Sequence, residues 1–143
     1  MKMIQTEILI QATSSKVWKT LTDFEAFQEW NPFIPSIKGS LKAGEKLHIS
    51  IQIPGGSSMK FTPIIQTVSP NNKLVWKGKF LIQGLFDGEH RFILESVQEG
   101  TRFLHEESFS GLLIPLLPKS FFEKTKKGFE AMNLALKRRV EEK

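Results

Sequence analysis

Residues 4–12 alternate, with Ile4, Thr6, Ile8 and Ile10 on one face and Gln5, Glu7 and Gln11 on the other. That is the period of a half-buried strand, with Leu9 as the one exception. The period then changes. Thr13-Ser14-Ser15 offers hydroxyl N-caps, and Val17, Trp18 and Leu21 recur at helical spacing. Asp23 opens a second short helix through Phe24, Phe27 and Trp30, which Asn31-Pro32 ends. Beyond Phe33 the pattern is strand after strand. Leu47, Ile49, Ile51 and Ile53 alternate with His48, Ser50 and Gln52 up to a Pro54-Gly55-Gly56 turn. Met59, Phe61 and Ile65 continue the inward set, and a Ser69-Pro70-Asn71-Asn72 turn leads to Leu74, Trp76 and Phe80, alternating with Val75, Lys77 and Lys79. Residues 86–97 and 101–109 predict a hairpin about Gln98-Glu99-Gly100. The count is about seven strands, mostly antiparallel.

After Pro115 and Pro118 the period becomes helical again. Phe121, Thr125, Gly128, Met132, Ala135 and Leu136 trace one face, and Lys124, Lys126, Lys127, Glu130 and Lys137 face away, which predicts a long amphipathic C-terminal helix. Strand, two short helices, a run of antiparallel strands and a final long helix make an α+β layout in which a curved sheet covers the apolar face of the helix. With 143 residues, no repeat and only short connections, the chain reads as one domain spanning residues 1–143. The void between sheet and helix is where function is expected.

Composition narrows the chemistry. The chain has no cysteine, so it has no disulfide framework, thiolate nucleophile or Cys-ligated cluster. Its aromatics are 12 Phe and 3 Trp with no Tyr, which favours dry aromatic packing. Of the net charge of +5, most sits in residues 119–143, where eight Lys/Arg stand against four Glu. No aromatic residue interleaves with these basic positions, the Gly55-Gly56 turn lacks a P-loop lysine, and no nucleic-acid motif appears, so nucleic acid is not an expected partner. No spanning segment or signal sequence is evident, which predicts a cytoplasmic protein without stable membrane insertion.

Strand parity gives the sharpest local inference. Phe86, Gly88, His90, Phe92 and Leu94 share one face of a strand, and Phe103, His105, Glu107 and Phe109 share one face of the next. Three polar groups thus stand on a Phe-rich inner surface and need partners there. One reading has them orient the polar head of an apolar ligand, with His105 and Glu107 as the catalytic acid and base if a reaction occurs. The other has His105 and Glu107 satisfy each other, or bond a backbone group. His90 and His105 meet only if the hairpin register brings them together; no spaced ligand cluster supports a metal, and no cofactor is expected. His48 is expected to face solvent.

The segments Ser15-Lys16-Val17-Trp18-Lys19-Thr20-Leu21-Thr22-Asp23-Phe24, Glu29-Trp30-Asn31-Pro32-Phe33, Leu74-Val75-Trp76-Lys77-Gly78 and 100–111, with Gly39 and Gly44 flanking a short turn, resemble the START-like (SRPBCC) superfamily in its polyketide cyclase/dehydrase branch. The resemblance covers nearly the whole chain. It implies a helix-grip fold, a bent antiparallel sheet around the C-terminal helix, with a deep cavity for a lipid, polyketide or other hydrophobic molecule. It implies no single activity: binding, cyclase or dehydrase chemistry, and a chaperone-ATPase-activator-like interaction module all occur on this shape. The ligand-lining residues expected are Trp30, Phe33, Met59, Phe61, Trp76, Phe80, His90, Phe92, His105, Glu107, Phe109, Leu113, Phe121, Gly128 and Met132. Residues 111–118, five large apolar residues with two prolines, are read as a lid over the cavity mouth, with a buried connection or a membrane-touching edge as alternatives.

Overall fold

The computed structural model describes residues 2–79 and 84–142. Strand β1 (Lys2–Ile10) leads through the N-cap of Thr13, whose hydroxyl accepts from the Lys16 backbone N–H, into helix α1 (Ser14–Thr22). Ser14, next to that cap, turns inward instead, its hydroxyl 2.9 Å from Ser96 and 3.1 Å from Thr101. A 3₁₀ turn (Phe24–Ala26) and the single-turn helix α2 (Phe27–Trp30) follow. Asn31 stops the helix. Its side-chain oxygen accepts from the backbone N–H groups of Phe33 and Ile34 at 3.0 and 2.8 Å, which turns the chain into the first strand beyond the helices.

The strands β2 (Ser36–Lys38), β3 (His48–Gln52) and β4 (Ser58–Phe61) form one antiparallel sheet. A second contains β5 (Ile64–Ser69), β6 (Lys73–Lys79), β7 (Asp87–Val97) and β8 (Gly100–Ser110) with β1, in the order β1-β8-β7-β6-β5. The described residues therefore hold eight strands rather than seven. The difference comes from the three-residue β2 and from Pro63, which has no N–H for a ladder and separates β4 from β5. The two sheets join at that break. The Leu47 N–H donates to the Pro63 carbonyl at 2.8 Å and the Ile65 N–H to the Glu45 carbonyl at 2.9 Å, so the sheet bends without losing its backbone bonds.

Helix α3 (Lys119–Glu141) lies in the bend, packed on β1, β8 and α1. Its buried stripe is Phe122, Thr125, Gly128, Phe129, Met132, Asn133, Leu136 and Val140. This stripe is rotated from the expected one: Phe121 is only half-buried, and Phe129 and Asn133 enter the core. Gly128 makes the approach possible, because a Cβ there would overlap the Phe33 ring, lying 2.7 Å from Phe33 Cε1. Phe33 in turn meets Phe129 edge-on at 5.3 Å. One contiguous apolar core runs from Ile4 to Val140.

Candidate functional site

The β7–β8 hairpin has a two-residue loop, Gln98-Glu99, which fixes its register: Val97 pairs with Gly100, Phe92 with His105, and His90 with Glu107. Gly100 holds a backbone φ of +144° that side chains with a Cβ rarely adopt. The expected inner face is intact, with His90, Phe92, Leu94, Phe103, His105 and Phe109 all buried.

That face and the sheet opposite enclose a cavity of about 60 Å³. Phe33, Met59, Phe61, Trp76, His90, Glu107, Phe109 and Phe121 line it, together with Ile49, Ile51, Ile53, Pro63, Phe86, Gly88, Lys79 and Thr125. Of the other residues expected there, Trp30, Phe92, His105, Leu113, Gly128 and Met132 do not line it, and Phe80 lies outside the described residues. The reasons are geometric. Phe92, His105 and Met132 sit deeper, at 1% exposure or less; Gly128 is covered by Phe33; Trp30 packs edge-on against Phe27 at 5.1 Å. In residues 111–118, Ile114 is buried in a 3₁₀ turn (Ile114–Leu116), while Leu112 and Leu116 are each 77% exposed. The segment's backbone is tied back by the Leu112 and Leu113 N–H groups, which donate to Gly84 and Leu85 at 3.0 and 2.9 Å. None of it lines the cavity. Ile49, Ile51, Ile53, Phe86 and Gly88 already stood on the inward sets read from the sequence; they are the lining residues that strand parity offered and the candidate set omitted.

The polar corner of the cavity is the outer end of a hydrogen-bond chain whose direction is set at its inner end. The Thr6 hydroxyl donates to the His105 backbone carbonyl at 2.9 Å, an atom that can only accept. Thr6 Oγ1 therefore accepts from the Asn133 side-chain NH₂, 2.8 Å away. That turns Asn133 Oδ1 toward His105 Nδ1 at 2.9 Å, so Nδ1 carries a hydrogen, which the Phe129 backbone also engages. His105 is wholly buried and stacks flat on Phe129, ring centroids 4.0 Å apart at 3°. Burial pushes its imidazole well below the usual 6.5, and the neighbouring His90 pushes the same way against the Asn133 and Phe129 hydrogen bonds. His105 is neutral, and its Nε2 presents a lone pair.

His90 Nε2 lies 2.7 Å from that lone-pair nitrogen and must donate to it. His90 Nδ1 then faces Glu107 Oε1 at 3.2 Å, with His90 2% and Glu107 17% exposed. As a hydrogen bond this last contact needs one hydrogen. It sits on an imidazolium facing a carboxylate, or on a carboxyl group facing a neutral imidazole. Glu107's partner is thus His90 and not His105, as the catalytic reading of the sequence had paired them. The Nε2–Nε2 distance also leaves no room for an ion between the rings, since two Zn–N bonds need about 2.0–2.1 Å each. Trp76 stacks on His90 at 5.3 Å and 29°. Glu107 Oε2 lies over Gly88, where any Cβ would overlap it.

A bent antiparallel sheet gripping a C-terminal helix, with a cavity between them, defines the START-like helix-grip class. Within it the chain belongs to the family described as polyketide cyclase / dehydrase and lipid transport, whose model matches residues 1–141. Its fold is shared with one half of BexL, a di-domain ARO/CYC from the BE-7585A biosynthetic pathway (TM-score 0.79, 15% identity, covering 99% of this chain and 50% of that one). It is similar also to TTHA0849 from Thermus thermophilus (TM-score 0.77, 16% identity, 97% of each chain). MLL2253 from Mesorhizobium loti is another such structure (TM-score 0.73, 19% identity, 96% of this chain and 95% of that one). The chain spans about half the length of the di-domain protein. No curated protein matches the chain in sequence.

Proposed function

We propose that the protein binds a hydrophobic small molecule or lipid in the cavity between the bent sheet and α3. The observation that carries this reading is the lining itself: aromatic and aliphatic walls closed around one polar corner, His90 and Glu107, in a chain whose family covers polyketide cyclases and lipid carriers. Apolar burial supplies affinity at roughly 25 cal/mol per Å² and the polar corner supplies orientation. Phe33, Met59, Phe61, Trp76, Phe109 and Phe121 are the contacts we assign to the apolar part of the ligand. A cavity of about 60 Å³ is well short of the roughly 300–1,000 Å³ of small-molecule pockets, so we read this conformation as the closed one.

A cyclase- or dehydrase-type enzyme is the second reading. It is favoured by one observation, an imidazole and a carboxyl group 3.2 Å apart at the cavity wall. One experiment addresses both readings: native mass spectrometry of protein purified without detergent, then denaturing extraction and identification of what is released. Binding predicts a stoichiometric adduct of lipid-like or polycyclic character. Catalysis predicts in addition that this compound, or its hydrated or uncyclised precursor, is converted on incubation with fresh protein. A clean mass, with no stabilisation by a panel of hydrophobic compounds, would defeat the proposal.

A further inference from the structure

Whichever side of the His90–Glu107 contact holds the proton, Oε1 is occupied by it. Among the described residues Glu107 makes that one hydrogen bond, and Oε2 is left over the bare backbone of Gly88 at the cavity wall. In the carboxylate arrangement Oε2 is an anionic acceptor. In the carboxyl arrangement the hydrogen lies on Oε1 toward His90, and Oε2 is a carbonyl-type acceptor. His90 cannot turn a donor toward the cavity instead, because Nε2–H is committed to His105 and the ring is held by Trp76. The other hydroxyl on the wall, Thr125, donates to the Phe121 carbonyl at 2.7 Å. Lys79 also lines the cavity but is an exposed residue.

Resting on the binding reading above, we propose that the cavity selects a neutral hydrogen-bond donor: a hydrophobic molecule carrying a phenolic, enolic or alcoholic hydroxyl that it gives to Glu107 Oε2. A carboxylate ligand meets acceptor against acceptor. An ether or ketone leaves Oε2 without a partner, which is how a site built for a hydroxyl rejects the analogue lacking one. A cationic amine would have to leave water for walls of Phe and Ile, at a cost of several kcal/mol that a neutral hydroxyl avoids.

Matched probes test this, 4-propylphenol against the equally large 4-ethylanisole, with 4-ethylbenzoate as the anion, and dissociation constants from amide chemical-shift titrations. The phenol should bind about tenfold tighter than the anisole, a difference of about 1.4 kcal/mol, and tighter still than the benzoate. In E107Q the amide N–H donates to His90 Nδ1 and the amide oxygen takes the place of Oε2, so the preference survives. In E107L it disappears. G88A is the second route, because its methyl group displaces Oε2 while leaving every charge in place, and it too should abolish the preference. Anisole binding as tightly as phenol, or benzoate binding best, would overturn the inference and leave the cavity reading standing. Failure of all three probes to bind wild-type protein would remove both.

Discussion

His105 shows how much one buried side chain decides. Folded, it binds a proton less readily than the unfolded imidazole, whose usual value is 6.5. Above that pH both states are neutral at this position and its contribution to stability is complete. As pH falls below it, the unfolded chain takes up a proton that the folded chain refuses. Stability then drops by up to about 1.4 kcal/mol per pH unit. Glu141 works in a lower window: the Lys137 ammonium and the Gln11 N–H hold its carboxyl below the usual 4.5, so its share is present above that value and is lost as pH falls through the lowered one. Urea midpoints at about pH 7.5 and about pH 5.5 should therefore differ, the acid one lower with the slope unchanged, and equal midpoints would contradict a neutral buried His105. Alternation along β7 and β8 was enough to put His90, His105 and Glu107 on one inner face. It could not pair them, because pairing depends on loop register. Asn133, polar but uncharged, belongs to neither the apolar nor the charged face read from the sequence. Counting back from Val140 and Leu136 through Phe129 to Phe122 puts it on the buried stripe.

Elements meet closely at α3. Where Phe33 covers Gly128, a methyl group has no room, and the ring is packed edge-on against Phe129. Gly128→Ala should lower unfolding free energy by about 1–3 kcal/mol, measured by chemical denaturation, despite alanine's better helix propensity. A stabilised variant would mean that the helix stands further from the 31–35 corner than described. The sequence places the glycine on the apolar face of the helix; what approaches it, a phenylalanine of the corner made by Asn31, depends on a turn no periodicity reports. The order of elements and the inward sets of β3, β6, β7 and β8 were legible because each has one wet and one dry face. The strand count was not. A three-residue strand is too short to show a period, and the inward residues Met59, Phe61 and Ile65 run across Pro63 as if β4 and β5 were one.

The whole molecule is a shell of sheet closed on a helix, with little empty space left at the contact. A ligand of ordinary size needs more room than this cavity of about 60 Å³ offers, and we expect Met59 and Phe61 on β4, both only half-buried, to move aside for it. Binding coupled to such a movement still stabilises by mass action. A ligand at a hundred times its dissociation constant should raise unfolding free energy by about 2.7 kcal/mol, read as a concentration-dependent shift of the melting midpoint. A midpoint that ignores a bound ligand would show that it sits on the surface. Thr6 touches none of this cavity. It belongs to β1, an edge strand, and its hydroxyl is anchored on the ladder carbonyl of His105. Yet every donor and acceptor from Asn133 to Glu107 takes its sense from that anchor, as a row of dominoes takes its direction from the first. The order of hydrogens along the wall is inherited from the outermost strand of the sheet, so a hydroxyl-free residue at position 6 would free the row to reverse while leaving Glu107 Oε2 an acceptor and the cavity's shape intact.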